Sequence, residues 1–255
     1  MKLITKELNT YNKKIRIYSL ILLILFSGIS HLFSQSDYPT LEIGATAPDF
    51  SLPGIDGKTY TLADFKSNIL VIIFTCNHCP TAQTYEDRII QLVDEYSKKG
   101  VDFVAVSPND PQSVRLDELG YTDLGDDLED MKIRAEYKGF NFHYLYDGET
   151  QETSRKYGPV ATPHVFIFDN NRKLQYVGRV DDSEEGITPQ TKHDTRDALE
   201  AMLAGKIPET QKTKTFGCSI KWSDKKESVK QYYEQLKNEK VSFESIDVDG
   251  IKELV

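Results

Sequence analysis

The residues best suited to chemistry are Cys76 and Cys79, two of the three cysteines in the 255-residue chain. They enclose Asn77 and His78, follow the apolar run 69–74 and precede an amphipathic pattern. We predict that the motif lies between a buried strand and a helix. At this spacing two sulfurs can reach bonding distance without long-range movement of the backbone. The pair therefore predicts a reversible dithiol–disulfide cycle.

The helix that follows predicts a different role for each sulfur. We expect Cys76 at the helix N-terminus, where unpaired N–H groups and a partial positive charge lower the pKa of its thiol. Cys76 would then be the attacking nucleophile, and Cys79, more deeply buried, the resolving thiol. A partly protonated His78 would stabilise the thiolate and make the pair more oxidising. The alternative is that His78 points into solvent and has little effect.

Three other uses of the pair are open. A structural zinc site needs four ligands, and no second CxxC motif exists to complete one. An inert disulfide would close a very small loop and add little stability. A copper(I) site built from Cys76, Cys79 and either His78 or His164 is chemically reasonable. We favour redox exchange, with no bound cofactor and no bound metal.

A second feature supports redox chemistry. The dipeptide Thr162-Pro163 directly precedes the apolar run 165–168. We predict a cis bond before Pro163, a rare feature that usually has a local purpose. The backbone beside it would face the two cysteines and pair with an incoming extended chain. Thr162 and Pro163 are therefore candidate site residues.

The third cysteine, Cys218, follows Gly217 and lies close to Trp222. An unpaired cysteine is either a small buried apolar residue or a reactive thiol. Both interpretations stay open from the sequence. In the reactive case Cys218 would be a relay or an alternative resolving partner.

The surrounding pattern indicates an α/β fold. Residues 69–74 and 101–106 predict two buried parallel strands joined by a helix. One face of that helix carries Tyr85, Ile89, Leu92, Val93 and Tyr96. Residues 164–168 and 173–178 flank an Asx-rich turn and predict a hairpin. Further helices are predicted near 131–137, 152–157, 195–203 and 223–240.

Composition and the two ends of the chain limit its partners. The net charge of −9 argues against nucleic acid, because phosphate contacts need a cationic surface. Basic residues followed by the short apolar run 17–26 predict a secretory signal, or an uncleaved membrane anchor, within residues 1–35. We expect export, to a bacterial periplasm, with membrane contact only through an uncleaved segment. Residues 41–207 would form the main domain, and residues 208–255 a partly helical extension that contains Cys218.

The chain resembles thioredoxin-fold proteins of the alkyl hydroperoxide reductase/thiol-specific antioxidant (redoxin) superfamily, in particular the peroxiredoxin-like group with a CxxC motif. The matching stretches are residues 47–50, 74–80, 107–110, 161–163, 178–182 and 215–222. This resemblance implies a thioredoxin-like α/β fold with a central mixed sheet flanked by helices. It also implies that Cys76 is the nucleophile, Cys79 the resolving cysteine and Pro163 the cis proline.

The resemblance leaves the activity open. Peroxiredoxins carry a P-x-x-x-[TS]-x-x-C motif, and an alignment on Cys79 puts Ile72 and Cys76 at its proline and threonine positions. Thiol–disulfide exchange is therefore favoured, with protein or small-molecule thiols and disulfides as partners and an unidentified electron donor. A thiol peroxidase and a copper-binding chaperone without turnover are the alternatives.

Overall fold

The computed structural model describes residues 38–120 and 122–240. The predicted signal or anchor, residues 1–35, lies outside these ranges. Within them, no helix is both long and apolar enough to cross a membrane. The described residues belong to one compact unit that begins at Tyr38.

A five-stranded mixed sheet forms the centre of the molecule. In chain order the strands are β1 (Ser51–Pro53), β2 (Thr59–Thr61), β3 (Ile69–Phe74), β4 (Val101–Ser107), β5 (His143–Tyr146), β6 (Ala161–Thr162), β7 (His164–Phe168), β8 (Leu174–Gly178) and β9 (Cys218–Ser219). The central sheet has the order β5-β4-β3-β7-β8, while β1 pairs with β2 and β6 pairs with β9. Strands β3, β4 and β5 run parallel, and β7 is antiparallel to both β3 and β8. The predicted parallel strands and hairpin are confirmed.

Five α-helices accompany the strands in the described residues. They are α1 (Pro80–Tyr96), α2 (Leu128–Lys138), α3 (Glu152–Tyr157), α4 (Asp194–Leu203) and α5 (Lys226–Asn238). Each overlaps a helix predicted from the apolar pattern or the charged tail. Helix α2 ends at Gly139, which adopts the left-handed conformation that favours glycine at this position.

The sheet buries β3 on both faces, which explains the continuous apolar run in the sequence. Val71 and Ile73 pack on one side with the apolar faces of α1 and α4. Leu70, Ile72 and Phe74 pack on the other side with residues of β1 and α3. The carboxyl end of β3 is therefore fixed between two cores, and the CxxC motif begins directly after it.

Strand β7 brings a second segment to the same place. It pairs antiparallel with β3, so that His164 lies opposite Phe74. The residues just before β7 therefore lie beside the residues just after β3. The bond between Thr162 and Pro163 is cis, as predicted.

The C-terminal segment packs on this domain through β9. Thr162 pairs with Cys218 in an antiparallel register, and Ile220 is buried. Gly217 permits the contact, because a Cβ atom there would lie 2.1 Å from the carbonyl oxygen of Thr162. Its φ of 131° is also unfavourable for residues with a side chain. The pairing of β6 with β9 therefore depends on a glycine at position 217.

We predict that Gly217→Ala lowers the free energy of unfolding by at least about 2 kcal/mol, because it adds backbone strain and a clash with Thr162. Urea denaturation measures the change. Gly186→Ala is the matched control, since a Cβ atom there meets nothing within 4 Å; its effect should stay within about 1 kcal/mol. Equal effects of the two substitutions would contradict the prediction.

Candidate active site

Helix α1 begins at Pro80, so the residue at its N-terminus is Cys79. Proline is favoured at the first helical position, where its missing N–H group is not needed. The Sγ atom of Cys79 accepts the backbone N–H of Ala82 at 3.4 Å. The prediction that the helix N-terminus acts on Cys76 is therefore wrong, because Cys76 lies before the first turn.

All three cysteines meet in one cluster. The backbone N–H of Cys218 donates to Cys79 Sγ at 3.3 Å, and the side chains of Cys76, Cys79 and Cys218 pack in one group. Cys76 and Cys79 are buried, with 3% and 0% of their surface exposed, while Cys218 is half-buried. The structure thus brings Cys218 to the predicted pair, with Cys79 as the sulfur that contacts both others.

The N–H donors around Cys79 favour its thiolate form. Hydrogen bonds from the thiols of Cys218 and Cys76, followed by the N–H groups of Ala82 and Cys218, hold the pKa of Cys79 well below its usual value. Burial, the hydrogen bond to Cys79 and the charge of Asp126 raise the pKa of Cys76. The hydrogen bond to Cys79 and burial also raise the pKa of Cys218. The expected low pKa of Cys76 is therefore wrong for the reduced protein.

Thr162 contacts both sulfurs of the motif. Its hydroxyl lies 3.1 Å from Cys76 Sγ, and its carbonyl oxygen lies 3.4 Å from Cys79 Sγ. Pro163 follows directly and is buried. The structure therefore brings together Thr162, Pro163 and the two cysteines, as the sequence predicts.

The backbone edge at Thr162 differs from the expectation. We expected it to pair with an incoming extended chain, but it pairs with the chain's own strand β9. The carbonyl oxygen of Thr162 is also in close contact with Gly217, which leaves no room there even for a methyl group. The chain's own C-terminal segment fills the edge predicted for docking.

His78 faces the protein interior. Its Nδ1 atom lies 2.6 Å from Asp126 Oδ2, and both side chains are almost fully buried. Asp126 also accepts the backbone N–H groups of Asn77 and His78 and the side-chain amide of Asn109. The alternative in which His78 points into solvent is therefore wrong. His78 is held by a buried carboxylate on the Cys76 side of the motif.

Sequence reasoning did not single out Asp126. It lies in a polar stretch with several other acidic residues, Asp123, Asp127, Glu129 and Asp130, and no local pattern separates it from them. Asn109 lies within residues 107–110, one of the stretches that carried the family resemblance. Together with His78, that stretch was the signal in the sequence for this network.

One group of side chains in the cluster has the donor types of a metal site. Ligand atoms of Cys76, His78 and Asp126 lie within 4.8 Å of one another. The predicted copper set was Cys76, Cys79 and either His78 or His164. The observed group differs from it, because it contains Asp126 and lacks Cys79. His164 makes other contacts, because its Nδ1 atom accepts the N–H of Val160 and its ring packs on Phe166. Copper binding stays a prediction.

A mixed sheet flanked by helices, with a CxxC motif before a helix and a cis Thr162-Pro163 bond beside it, defines a thioredoxin-fold redoxin. The chain belongs to the AhpC/TSA family, whose model matches residues 43–177.

Known proteins of related sequence carry redox names. The thiol-disulfide oxidoreductase ResA of Geobacillus thermodenitrificans is 23% identical over 162 residues, which cover 62% of this chain and 83% of that relative. The putative peroxiredoxin bcp of Helicobacter pylori strain J99 is 32% identical over 114 residues, or 43% of this chain and 74% of that relative. These similarities support a redox enzyme of thioredoxin-like type.

A solved structure covers more of the chain. The crystal structure of an uncharacterized conserved protein from Geobacillus kaustophilus is 39% identical, with a TM-score of 0.64. The match covers 73% of this chain and 95% of that one. The fold therefore occurs in a protein that carries no functional name.

The charge on Cys79 predicts a thiolate that survives acidification. Thiolate fraction follows pKa, so we expect one thiolate per reduced molecule down to about pH 5, whereas an ordinary cysteine loses it below about pH 8.5. The thiolate content is measured as the far-ultraviolet absorbance of the reduced protein minus that of the oxidised protein. Cys79→Ser should remove this signal. A signal that disappears on acidification to about pH 7 would contradict the assignment.

His164 predicts a pH-dependent stability. Burial lowers its pKa from 6.5 to about 3, so the unfolded chain binds a proton below pH 6.5 that the folded chain does not. Stability is then complete above pH 6.5 and falls as the pH drops toward 3. Urea denaturation measures the decrease in the free energy of unfolding between about pH 7 and 5. In His164→Gln, which keeps an acceptor for the N–H of Val160, this decrease should be smaller by about 2 kcal/mol. His193→Gln is the control and should retain the full loss; the same loss in both variants would refute the prediction.

Proposed function

We propose that this protein is a thiol–disulfide oxidoreductase in which Cys76 and Cys79 alternate between dithiol and disulfide. One observation carries the proposal: a buried sulfur, Cys79 Sγ, accepts two backbone N–H groups and packs beside the thiol of Cys76. A stabilised thiolate in contact with a second thiol is the arrangement that thiol–disulfide exchange requires. The similarity to proteins named thiol-disulfide oxidoreductase supports it.

In the proposed cycle the pair transfers two electrons to a substrate disulfide. A thiolate of the pair attacks one substrate sulfur, the substrate S–S bond breaks, and the released thiolate takes up a proton. The second cysteine then attacks the enzyme sulfur of the mixed disulfide and releases the other substrate thiol. Protein or small-molecule disulfides are the proposed substrates, and a thiol donor would reverse the steps.

The order in which the two cysteines act is also part of the proposal. The family resemblance assigns the first attack to Cys76, and that assignment stays a prediction. The hydrogen bonds in the reduced protein favour Cys79 as the thiolate and Cys76 as the protonated partner. Ligand atoms of His78 and Asp126 lie within 4.8 Å of Cys76 Sγ, and both side chains are buried beside it.

Export belongs to the same proposal. The basic segment followed by the apolar run 17–26 supports a secretory signal or an uncleaved anchor. An oxidising compartment such as a bacterial periplasm allows disulfides to persist. The pair would then act on exported thiols and disulfides.

We expect Cys79→Ser and the double variant Cys76→Ser/Cys218→Ser each to lower the rate of insulin disulfide reduction by dithiothreitol at least about 100-fold relative to the intact protein. The first removes Cys79, and the second removes both cysteines that pack beside it. Urea midpoints show whether the variants remain folded. His193→Gln serves as a control away from the cluster. If either cysteine variant keeps the full rate, the proposed cycle is wrong.

A thiol peroxidase is the second candidate, favoured by a thiolate at the N-terminus of α1 and by the similarity to a putative peroxiredoxin. The Cys79 thiolate would attack a hydroperoxide oxygen, break the O–O bond and become a sulfenic acid, with release of an alcohol or water. A neighbouring thiol would condense with it to a disulfide and release water. Hydroperoxide consumption with a thiol donor distinguishes this activity from insulin reduction.

A further inference from the structure

We propose that Cys218 is a third redox-active residue, which exchanges disulfides with Cys79 and passes electrons between the buried pair and an external thiol. The inference rests on the proposed dithiol cycle and extends it. It assigns the first contact with the external reactant to a strand near the C-terminus rather than to the CxxC motif.

Strand β9 fixes Cys218 against the pair. Cys218 lies opposite Thr162 in the strand pairing, and Thr162 contacts the sulfurs of Cys76 and Cys79. The N–H group of Cys218 donates to Cys79 Sγ at 3.3 Å, and its side chain packs against Cys76 and Cys79. Cys79 therefore contacts both possible disulfide partners.

Contacts on both sides of Cys218 hold the strand in place. Before it, Phe216 packs on the core that contains Tyr85. After it, Ile220 is buried and the N–H of Lys221 donates to Asn109 Oδ1 at 2.8 Å. The side-chain amide of Asn109 binds Asp126, so the strand is connected to the network around His78. The position of Cys218 is thus determined by the same contacts that build the site.

The three cysteines differ in their exposure to solvent. Cys76 and Cys79 are buried, whereas Cys218 is half-buried. The edge beside Thr162, where a substrate chain was expected to pair, is occupied by β9 itself. An external thiol therefore reaches Cys218 more easily than either member of the pair.

The exchange balances with an external thiol as the reductant. The Cys218 thiolate attacks Cys79 Sγ of the Cys76–Cys79 disulfide, the bond between the pair breaks, and Cys76 leaves and takes up a proton. An external thiolate then attacks Cys218 Sγ, and Cys79 leaves as the stabilised thiolate. The first external thiol is then joined to Cys218 in a mixed disulfide. A second external thiolate attacks the sulfur of the first external thiol, and Cys218 leaves. Two external thiols become one disulfide. The pair gains two electrons; one proton goes to Cys76 and the other to solvent, because Cys79 stays a thiolate.

The direction of the second step follows from leaving-group chemistry. The thiol with the lower pKa leaves faster in disulfide exchange. The donors around Cys79 stabilise its thiolate, while Cys218 has fewer of them. Attack on a Cys79–Cys218 disulfide should therefore occur at the more exposed sulfur, Cys218, with Cys79 as the leaving group.

The first test traps the internal disulfide. Cys76→Ser, oxidised with glutathione disulfide, is alkylated and mapped by mass spectrometry without reduction. We expect most molecules to carry a Cys79–Cys218 disulfide within one chain, and the double variant Cys76→Ser/Cys218→Ser to carry none. If most molecules instead hold free thiols, glutathione adducts or bridges between chains, the proposal is overturned.

The second test measures transfer in the intact pair. The Cys76–Cys79 disulfide is formed in Cys218→Ser and in the unchanged protein, and its reduction by glutathione is followed by timed alkylation. We expect reduction at least about fivefold slower in the variant, because serine keeps a hydrogen-bond donor beside Cys79 but cannot form a disulfide. Ser219→Ala, an exposed neighbour on β9, should keep the rate of the unchanged protein. A smaller decrease in Cys218→Ser overturns the proposal.

The two proposals fail in different ways. Full insulin reduction by Cys79→Ser or by Cys76→Ser/Cys218→Ser removes the dithiol cycle itself. If both variants lack activity while the Cys76–Cys79 disulfide of Cys218→Ser is reduced at the rate of the unchanged protein, the cycle stands and only the role of Cys218 is lost.

Discussion

The hydrogen bonds that converge on Cys79 Sγ are the constraint on which the rest of the site depends. A charged sulfur without water contact is costly to bury unless donors surround it. The donors come from two distant parts of the chain, the first turn of α1 and strand β9. The sheet must therefore hold the end of β3 and the start of β7 together, since these strands position the residues on either side of the sulfur.

A buried carboxylate adds to the difference between the two sulfurs. Asp126 is satisfied by backbone N–H groups, the Asn109 amide and the His78 ring, and its charge raises the pKa of Cys76. The helix N-terminus favours charge on the other sulfur, Cys79. The two chemically identical cysteines therefore have different surroundings.

The C-terminal segment joins these two charge systems. Gly217 lets β9 approach Thr162, and the residues after it donate to Asn109. The segment therefore completes the donor set of Cys79 and supports the residues that bind Asp126. It also covers the backbone edge beside the cis proline, which makes it part of the site rather than an appendage to the main domain.

The strands, the helices and the candidate pair of cysteines could be predicted from the sequence. Continuous apolar runs predicted the buried strands, helical periodicity predicted α1, and the CxxC motif and Thr162-Pro163 predicted the candidate site, because each signal is local. The different surroundings of the two sulfurs could not be predicted, since they depend on burial and on a helix that starts at Pro80. The tertiary structure also selected Asp126 from its acidic neighbours and placed Cys218 against Cys79, 139 residues away. Such contacts join remote segments through packing, and no local pattern in the chain records them.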